Sequence, residues 1–336
     1  MKLKALDELT IVITGATSGN GLATARAAAE RGASLVLAAR NGSALEAIAG
    51  ELKARGARVA TCIADVADEA DVERIAQTAI ETFGGFDTWV NDAAAAMYGR
   101  MDEVPMADHR RVFDVNYFGV LKGSLVAADH LRTKGGAIIN LGSVLSDRTM
   151  ILQGAYSATK HAVKAATSAI RMELQAAGAP VSVTLIKPSA MHTPYPEHAR
   201  NYLDDPARLP PILYDPRLVA DAVLFAAENP RRQIYVGGNG YLISLAGQFA
   251  PRTTDRLMQL LGRRLQTDRA QPPGPSVVDN LYESREDGAV DGHQDYYVRR
   301  SSLVLAAQKH PLTAILMTAL PAMGLLALRR ATQRPA

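Results

Sequence analysis

Three side chains in one short stretch could exchange a proton with a substrate oxygen. From Gly142 to Lys160 the chain reads Gly-Ser-Val-Leu-Ser-Asp-Arg-Thr-Met-Ile-Leu-Gln-Gly-Ala-Tyr-Ser-Ala-Thr-Lys. Ser143 closes an apolar run, 136–142, that reads as a buried strand. Tyr156 and Lys160 open an Ala-rich helical segment, and a spacing of four puts phenol and ammonium on one face, a turn apart. A phenol titrates near pH ~10 and exchanges protons poorly at neutrality. An ammonium held beside it favours the phenolate and would lower that pKa into a useful range. A serine hydroxyl at the adjoining strand end could hold the substrate oxygen. Tyr-x-x-x-Lys alone fits equally a packed tyrosine beside a solvated lysine, so the surrounding elements must decide.

The 336 residues, with 48% hydrophobic and 21% charged, suit one large α/β domain with an extension or two small domains. A net charge of +3, with no arginine run interleaved with aromatics, argues against a nucleic-acid partner. The single cysteine, Cys62, excludes an intramolecular disulfide and suits a reducing compartment; it reads as a buried strand residue. The seven histidines form no metal-ligand spacing, so no metal site is expected. The first residues lack the apolar core of a signal peptide, and a cytoplasmic protein is expected.

Leu9–Thr14 is a short β-branched run of the kind buried on both faces of a parallel sheet. It ends in Gly15-Ala-Thr-Ser-Gly-Asn-Gly21 and then a strong helix former, 22–30. Glycines at such a turn let a pyrophosphate approach the helix N-terminus, where free N–H groups favour an anion. The second strand, Ser34–Ala39, ends at Arg40, where a nucleotide-binding unit meets the adenosine ribose. An acid there would suit a free 2′-hydroxyl; a guanidinium suits a 2′-phosphate, so NADP is favoured over NAD. Ser43 to Glu46 has the spacing of a capping box. Further strands are expected at 58–63, 87–91, 136–142, 181–186 and 233–236, alternating with helices at about 68–83, 106–133, 155–177 and 215–228. That alternation gives a parallel, doubly wound sheet. The Pro- and Tyr-rich stretch 194–214 is expected to lack regular structure and to form a lid over an apolar pocket.

With the Thr14 to Gly21 glycine loop, Asn91, Asn116, Ser143, Tyr156 and Lys160 in this order, the chain resembles the short-chain dehydrogenase/reductase family over about residues 5 to 245. The resemblance implies a Rossmann-type α/β sheet of about seven strands with helices on both faces. It also implies NAD(P)-dependent interconversion of a small-molecule carbonyl and an alcohol. Tyr156 matches the acid/base, and Lys160 the partner that also holds the nicotinamide ribose. Ser143 matches the residue orienting the substrate oxygen, and Asn116 the holder of a relay water. Gly15, Thr17, Ser18, Gly19, Asn20 and Gly21 match the phosphate-binding loop, and Asp65 with Val66 the adenine contact. Asn91 matches the first residue of an Asn-Asn-Ala-Gly turn, and Pro188 and Thr193 the loop that contacts the carboxamide. The chain departs from the family pattern at Asn20, at Asp92 and Ala94, and at Ser189. A homo-oligomer is expected. The competing reading is a catalytically idle NADP-binding sensor or membrane scaffold.

The catalytic domain is expected to span 1–250. An amphipathic helix and polar linker follow, 251–300, then an apolar tail, 301–336. Pro251 to Arg269 sets five arginines against two aspartates around Leu257, Met258, Leu260, Leu261 and Leu265. A Pro/Gly linker, 271–275, precedes a polar stretch, 279–295, expected to be disordered or draped over the surface. Residues 312–328 are uncharged and precede Arg329-Arg330; they read either as a short membrane anchor or as a helix packed on protein.

Overall fold

The computed structural model describes residues 1–268, 279–285 and 288–310; the linker 271–275 and the apolar run 312–328 lie outside the described residues. Seven parallel strands form the central sheet: β1 (Thr10–Thr14), β2 (Ser34–Ala39), β3 (Val59–Ile63), β4 (Thr88–Asn91), β5 (Gly136–Leu141), β6 (Val181–Pro188) and β7 (Gln233–Val236). Their order across the sheet is β7-β6-β5-β4-β1-β2-β3. The order reverses between β1 and β4, where a crevice opens at the carboxyl ends of the strands. Register aligns Thr14 with both Ala38 and Asn91, and Asn91 with Asn140, so these strand ends share one edge.

The strands alternate in what they bury. Ile11 and Ile13 face one core with Leu22, Leu45 and Val223, carried by α1 (Gly19–Glu30), α2 (Gly42–Ala54) and α8 (Arg217–Glu228). Val12 and Val36 face the other, with Ile75, Leu131 and Ile170 of α3 (Glu69–Phe83), α5 (Gly119–Leu131) and α6 (Gly154–Ala176). A polar string crosses the second core: Trp89 donates to Asn91 at 2.8 Å, Asn91 to Asn140 at 2.8 Å, and Asn140 to Thr167 at 3.0 Å. Each such bond contributes about 1 kcal/mol net, and losing a partner costs more because the group left behind is buried.

Several local expectations change. Asn41, not Ser43, caps α2, accepting from the Ala44 N–H at 2.9 Å. The helical stretch from Met106 is two helices, α4 (Met106–Phe113) and α5, joined by a π-helical turn, 114–118, that carries Asn116. The 194–214 stretch contains one helical turn, α7 (Tyr195–His198), and two short parallel strand pairings. A helix that local pattern did not suggest, α9 (Gly238–Phe249), runs into α10 (Pro251–Gln266) at Ala250.

The described part of the extension is draped and anchored. Leu281 is fully buried, and Arg200 bridges Asp108 of α4 at 2.9 Å and Asp279 at 2.7 Å. Tyr282 also donates to Asp108, at 2.8 Å. Val298–Arg299 pairs with Leu213–Tyr214. Beyond it, α11 (Leu303–Lys309) closes the sheet edge: the Gln308 amide bonds both the N–H and the carbonyl of Tyr235 in β7. No helix among the described residues is long and apolar enough to cross a membrane.

Candidate active site

A cleft of about 460 Å³ lies at the switch point. The turn after β1 forms one wall. Gly15 sits at φ 71°, and a Cβ there would stand 2.7 Å from the Ala93 Cα; one on Gly21 would stand 2.1 Å from the Gly15 carbonyl oxygen. Only glycine lets the β1 turn, the β4 turn and the start of α1 come this close. The result is a cradle at a helix N-terminus, lined by Gly15, Thr17, Ser18, Gly19 and Asn20. The Asn20 side-chain oxygen is buried there without a hydrogen-bond partner. Thr193, from the loop after β6, stands against Gly19. These features fit a dinucleotide, whose phosphates would meet the glycine loop.

The extension shares this cradle. The Gly19 N–H donates to the Ala289 carbonyl at 2.9 Å, and Gly288 donates to the Thr17 carbonyl at 2.9 Å. Past the end of β2, Arg40 donates to the carbonyls of Tyr282 at 2.9 Å and Asn280, and Asn41 to that of Arg285 at 2.5 Å. Ser284 and Arg285 line the cleft beside Arg40 and Asn41. Asp65 also lines it and is held by Arg111 at 2.5 Å and by the Ala67 N–H at 3.0 Å. Nothing in the local pattern of 279–295 marked it as part of a site; the contacts join positions far apart in the chain.

Opposite lie Ser143, Tyr156 and Lys160. Ser143 follows β5, is nearly buried, and accepts from the Leu145 N–H at 3.0 Å. Its side chain stands near enough to the Tyr156 phenol to favour the phenolate. Lys160 lies 5.5 Å from the Tyr156 ring centre and donates to the Leu141 carbonyl at 2.7 Å. The expected direction of the tyrosine pKa is reversed: burial pushes it up, the charge of Asp92 adds to this, and the Ser143 side chain opposes both. Burial brings Lys160 down to about 8, with Asp92 opposing. Asp92, where the resemblance expected asparagine, is pushed up to about 7 by burial, against Lys160 and the Gly21 N–H.

Gly15, Thr17, Ser18, Gly19, Asn20, Arg40, Asp65, Val66, Ser143, Tyr156, Lys160, Pro188 and Thr193 all line one cleft. Gly21, Asn91 and Asn116 stand behind it. Gly21 sets the close approach to Gly15, and Asn91 spends its amide on Asn140 of β5 and Ser124 of α5. Asn116 is fully buried, grips the Ala95 backbone through bonds of 2.8 and 2.9 Å, and donates to Thr159 of α6 at 3.1 Å. It thereby ties the β4 turn to the helix that carries Tyr156. The far end of the cleft is apolar, walled by Leu145, Met150, Tyr195, Leu209, Ile243 and Met258.

The family model described as short chain dehydrogenase matches residues 9–203. An uncharacterized oxidoreductase of Bacillus subtilis, YxnA, is 44% identical over 322 residues, covering 95% of this chain and 90% of the relative. That match is too long to leave out the extension. Among solved structures, an alcohol dehydrogenase from Thermococcus sibiricus complexed with 5-hydroxy-NADP superposes with a TM-score of 0.60 at 27% identity, covering 68% of this chain and 95% of that one. A short chain dehydrogenase/reductase from Burkholderia phymatum in complex with NAD gives 0.66 at 26% identity, covering 83% and 99%. With the sheet order, the glycine cradle and the Ser143–Tyr156–Lys160 cluster, these similarities make the chain an oxidoreductase of the short-chain dehydrogenase family.

Proposed function

We propose that the protein interconverts an apolar carbonyl compound and its secondary alcohol with NADP(H), using Tyr156 as the proton donor and acceptor. The observation that carries this reading is that Ser143, Tyr156 and Lys160 line the same cleft as the glycine loop, with the Lys160 ammonium 5.5 Å from the Tyr156 ring centre. The cofactor would supply or accept the hydride. The protein supplies position and a proton. In reduction Ser143 and Tyr156 hold the substrate oxygen, and Tyr156, protonated because of its burial, donates its proton as negative charge develops there. Lys160 sits where its ammonium stabilises the phenolate left behind.

The preference for NADP rests on Ala39 and Arg40 in place of an acid at the end of β2, and on Arg285 lining the same rim. The Arg40 bonds to the 280 and 282 carbonyls place its guanidinium among acceptors, the chemistry a 2′-phosphate would offer. The apolar far wall supports an apolar substrate. Exposed Phe118, Leu125 and Met172, on the surface around α5 and α6, support a homo-oligomer, which sedimentation equilibrium would test.

The test of function is NADPH consumption over a panel of apolar aldehydes and ketones, with Tyr156→Phe as control. Turnover lost in the variant is expected. Turnover that survives it overturns the mechanism, and tight NADPH binding with no turnover would favour a binding scaffold.

A further inference from the structure

The helical pair α9–α10 is amphipathic across its outer side. On α9, Leu242 and Phe249, seven residues apart, share one face, and Phe249 is 78% exposed. On α10, Leu257, Leu260 and Leu261 follow helical spacing, and Leu260 is 73% exposed. The apolar arc is continuous with the cleft: Ile243, Met258 and Leu265 of the same two helices line it, as does the half-exposed Ile212. The rest of α10 is basic, with Arg252, Arg256, Arg263 and Arg264 against the single carboxylate of Asp255, which Arg148 bridges; Arg263 also reaches Asp204 at 3.8 Å.

We propose that α9 and α10 dock this protein onto an anionic lipid surface, with the apolar mouth of the cleft turned toward the bilayer. Leucines and a phenylalanine flanked by arginines match the two chemistries of that surface, acyl chain and anionic headgroup. A protein partner or a second copy would need the apolar arc but gives no reason for four arginines around it. A cleft that opens through the same arc lets an apolar molecule pass from lipid to Tyr156 without crossing water. The docking does not depend on which reaction the site performs.

Co-sedimentation of the full chain with vesicles tests the idea, comparing phosphatidylcholine alone with equal parts phosphatidylcholine and phosphatidylglycerol. The wild-type chain should bind the anionic vesicles and release them in high salt. Substituting Leu257→Gln, Leu260→Gln and Leu261→Gln together should weaken binding roughly tenfold or more. Substituting Arg252→Gln, Arg256→Gln and Arg264→Gln together should remove the salt dependence. Unchanged binding in the leucine variant, as when residues beyond 310 carry the attachment, overturns the proposal. So does a wild-type chain that binds no vesicles. An oligomer that the leucine variant splits in the absence of lipid would also overturn it, because the face is then a contact between copies. Should the leucine variant fail to fold, Leu260→Trp replaces it as a probe, since the native Trp89 is fully buried. Its fluorescence should be quenched by brominated lipid, and an unquenched indole refutes docking.

Discussion

The backbone N–H of Gly19, at the mouth of α1, donates to the carbonyl of Ala289 at 2.9 Å. In the proposed reading this donor would meet a cofactor phosphate, and here it is held by the extension of the same chain. Cofactor entry and exit along the proposed site would then require that segment to shift. Leu281, fully buried, anchors it, so Leu281→Ala should undock it at a cost of about 2–5 kcal/mol. NADPH release, followed by stopped-flow fluorescence, should become roughly tenfold faster or more. An unchanged release rate would show that the segment does not gate the cleft.

Tyr156→Phe keeps the ring and its packing but removes the proton. Turnover should fall by roughly 10²–10⁴-fold while NADPH affinity stays near wild type. Ser143→Ala should lower turnover by a smaller factor, because the Tyr156 hydroxyl still reaches the substrate oxygen.

Asp92 and Lys160 set the pH response. The charge of Asp92 raises the Tyr156 pKa, so Asp92→Asn should move the alcohol-oxidation profile toward lower pH. Stability gives a separate readout. Asp92 titrates near 7 in the folded chain against an ordinary value of 3.8, so the fold binds this proton more tightly than the unfolded chain does. It therefore loses stability as pH rises from about 4 through 7. Thermal midpoints of Asp92→Asn should lack that decline. Lys160, brought down to about 8, acts in the opposite sense, costing stability below that pH and less above it.

The proposed preference for NADP rests on the rim formed by Arg40 and Arg285. Arg40→Ala and Arg285→Gln should each weaken NADPH by roughly tenfold and leave NADH nearly unchanged, as measured by fluorescence titration. Equal losses for both cofactors would mean that Arg40 and Arg285 serve only the backbone carbonyls they bond, those of the extension and of Glu197 respectively.

A second charged cluster is structural. Asp147 meets Lys187 at 2.9 Å and Lys164 at 2.6 Å, accepts from Tyr235 at 2.7 Å, and is held down to about 2. Lys187 is 1% exposed, so Asp147→Ala strands a buried ammonium and should cost about 3–5 kcal/mol in urea denaturation. Because the folded pKa lies below 3.8, the stability Asp147 contributes is present above about pH 4 and is lost as pH falls toward 2. The double change Asp147→Leu with Lys187→Met should recover much of the loss.

Features with a local cause are legible in the chain alone. β-branched runs bounded by turns gave the seven strands, and glycine spacing gave the β1 cradle. The four-residue step set Tyr156 above Lys160, since helical periodicity alone puts both on one face. Tertiary structure decided everything that depends on burial or on distant partners. Lys160 was legible as the tyrosine's neighbour, yet burial first and then Asp92 raise the phenol pKa, with Ser143 opposing. Arg40 was legible as a cation at the ribose position, but its carbonyl partners at 280 and 282 were not. The stretch 279–295 reads as polar and unstructured because its anchors, Arg200 and Asp108, belong to other elements, and no periodicity within a strap records a pairing across the chain. The outer leucines of α10 were legible as one face of a helix. Only the fold showed that this face continues into the cleft above Tyr156.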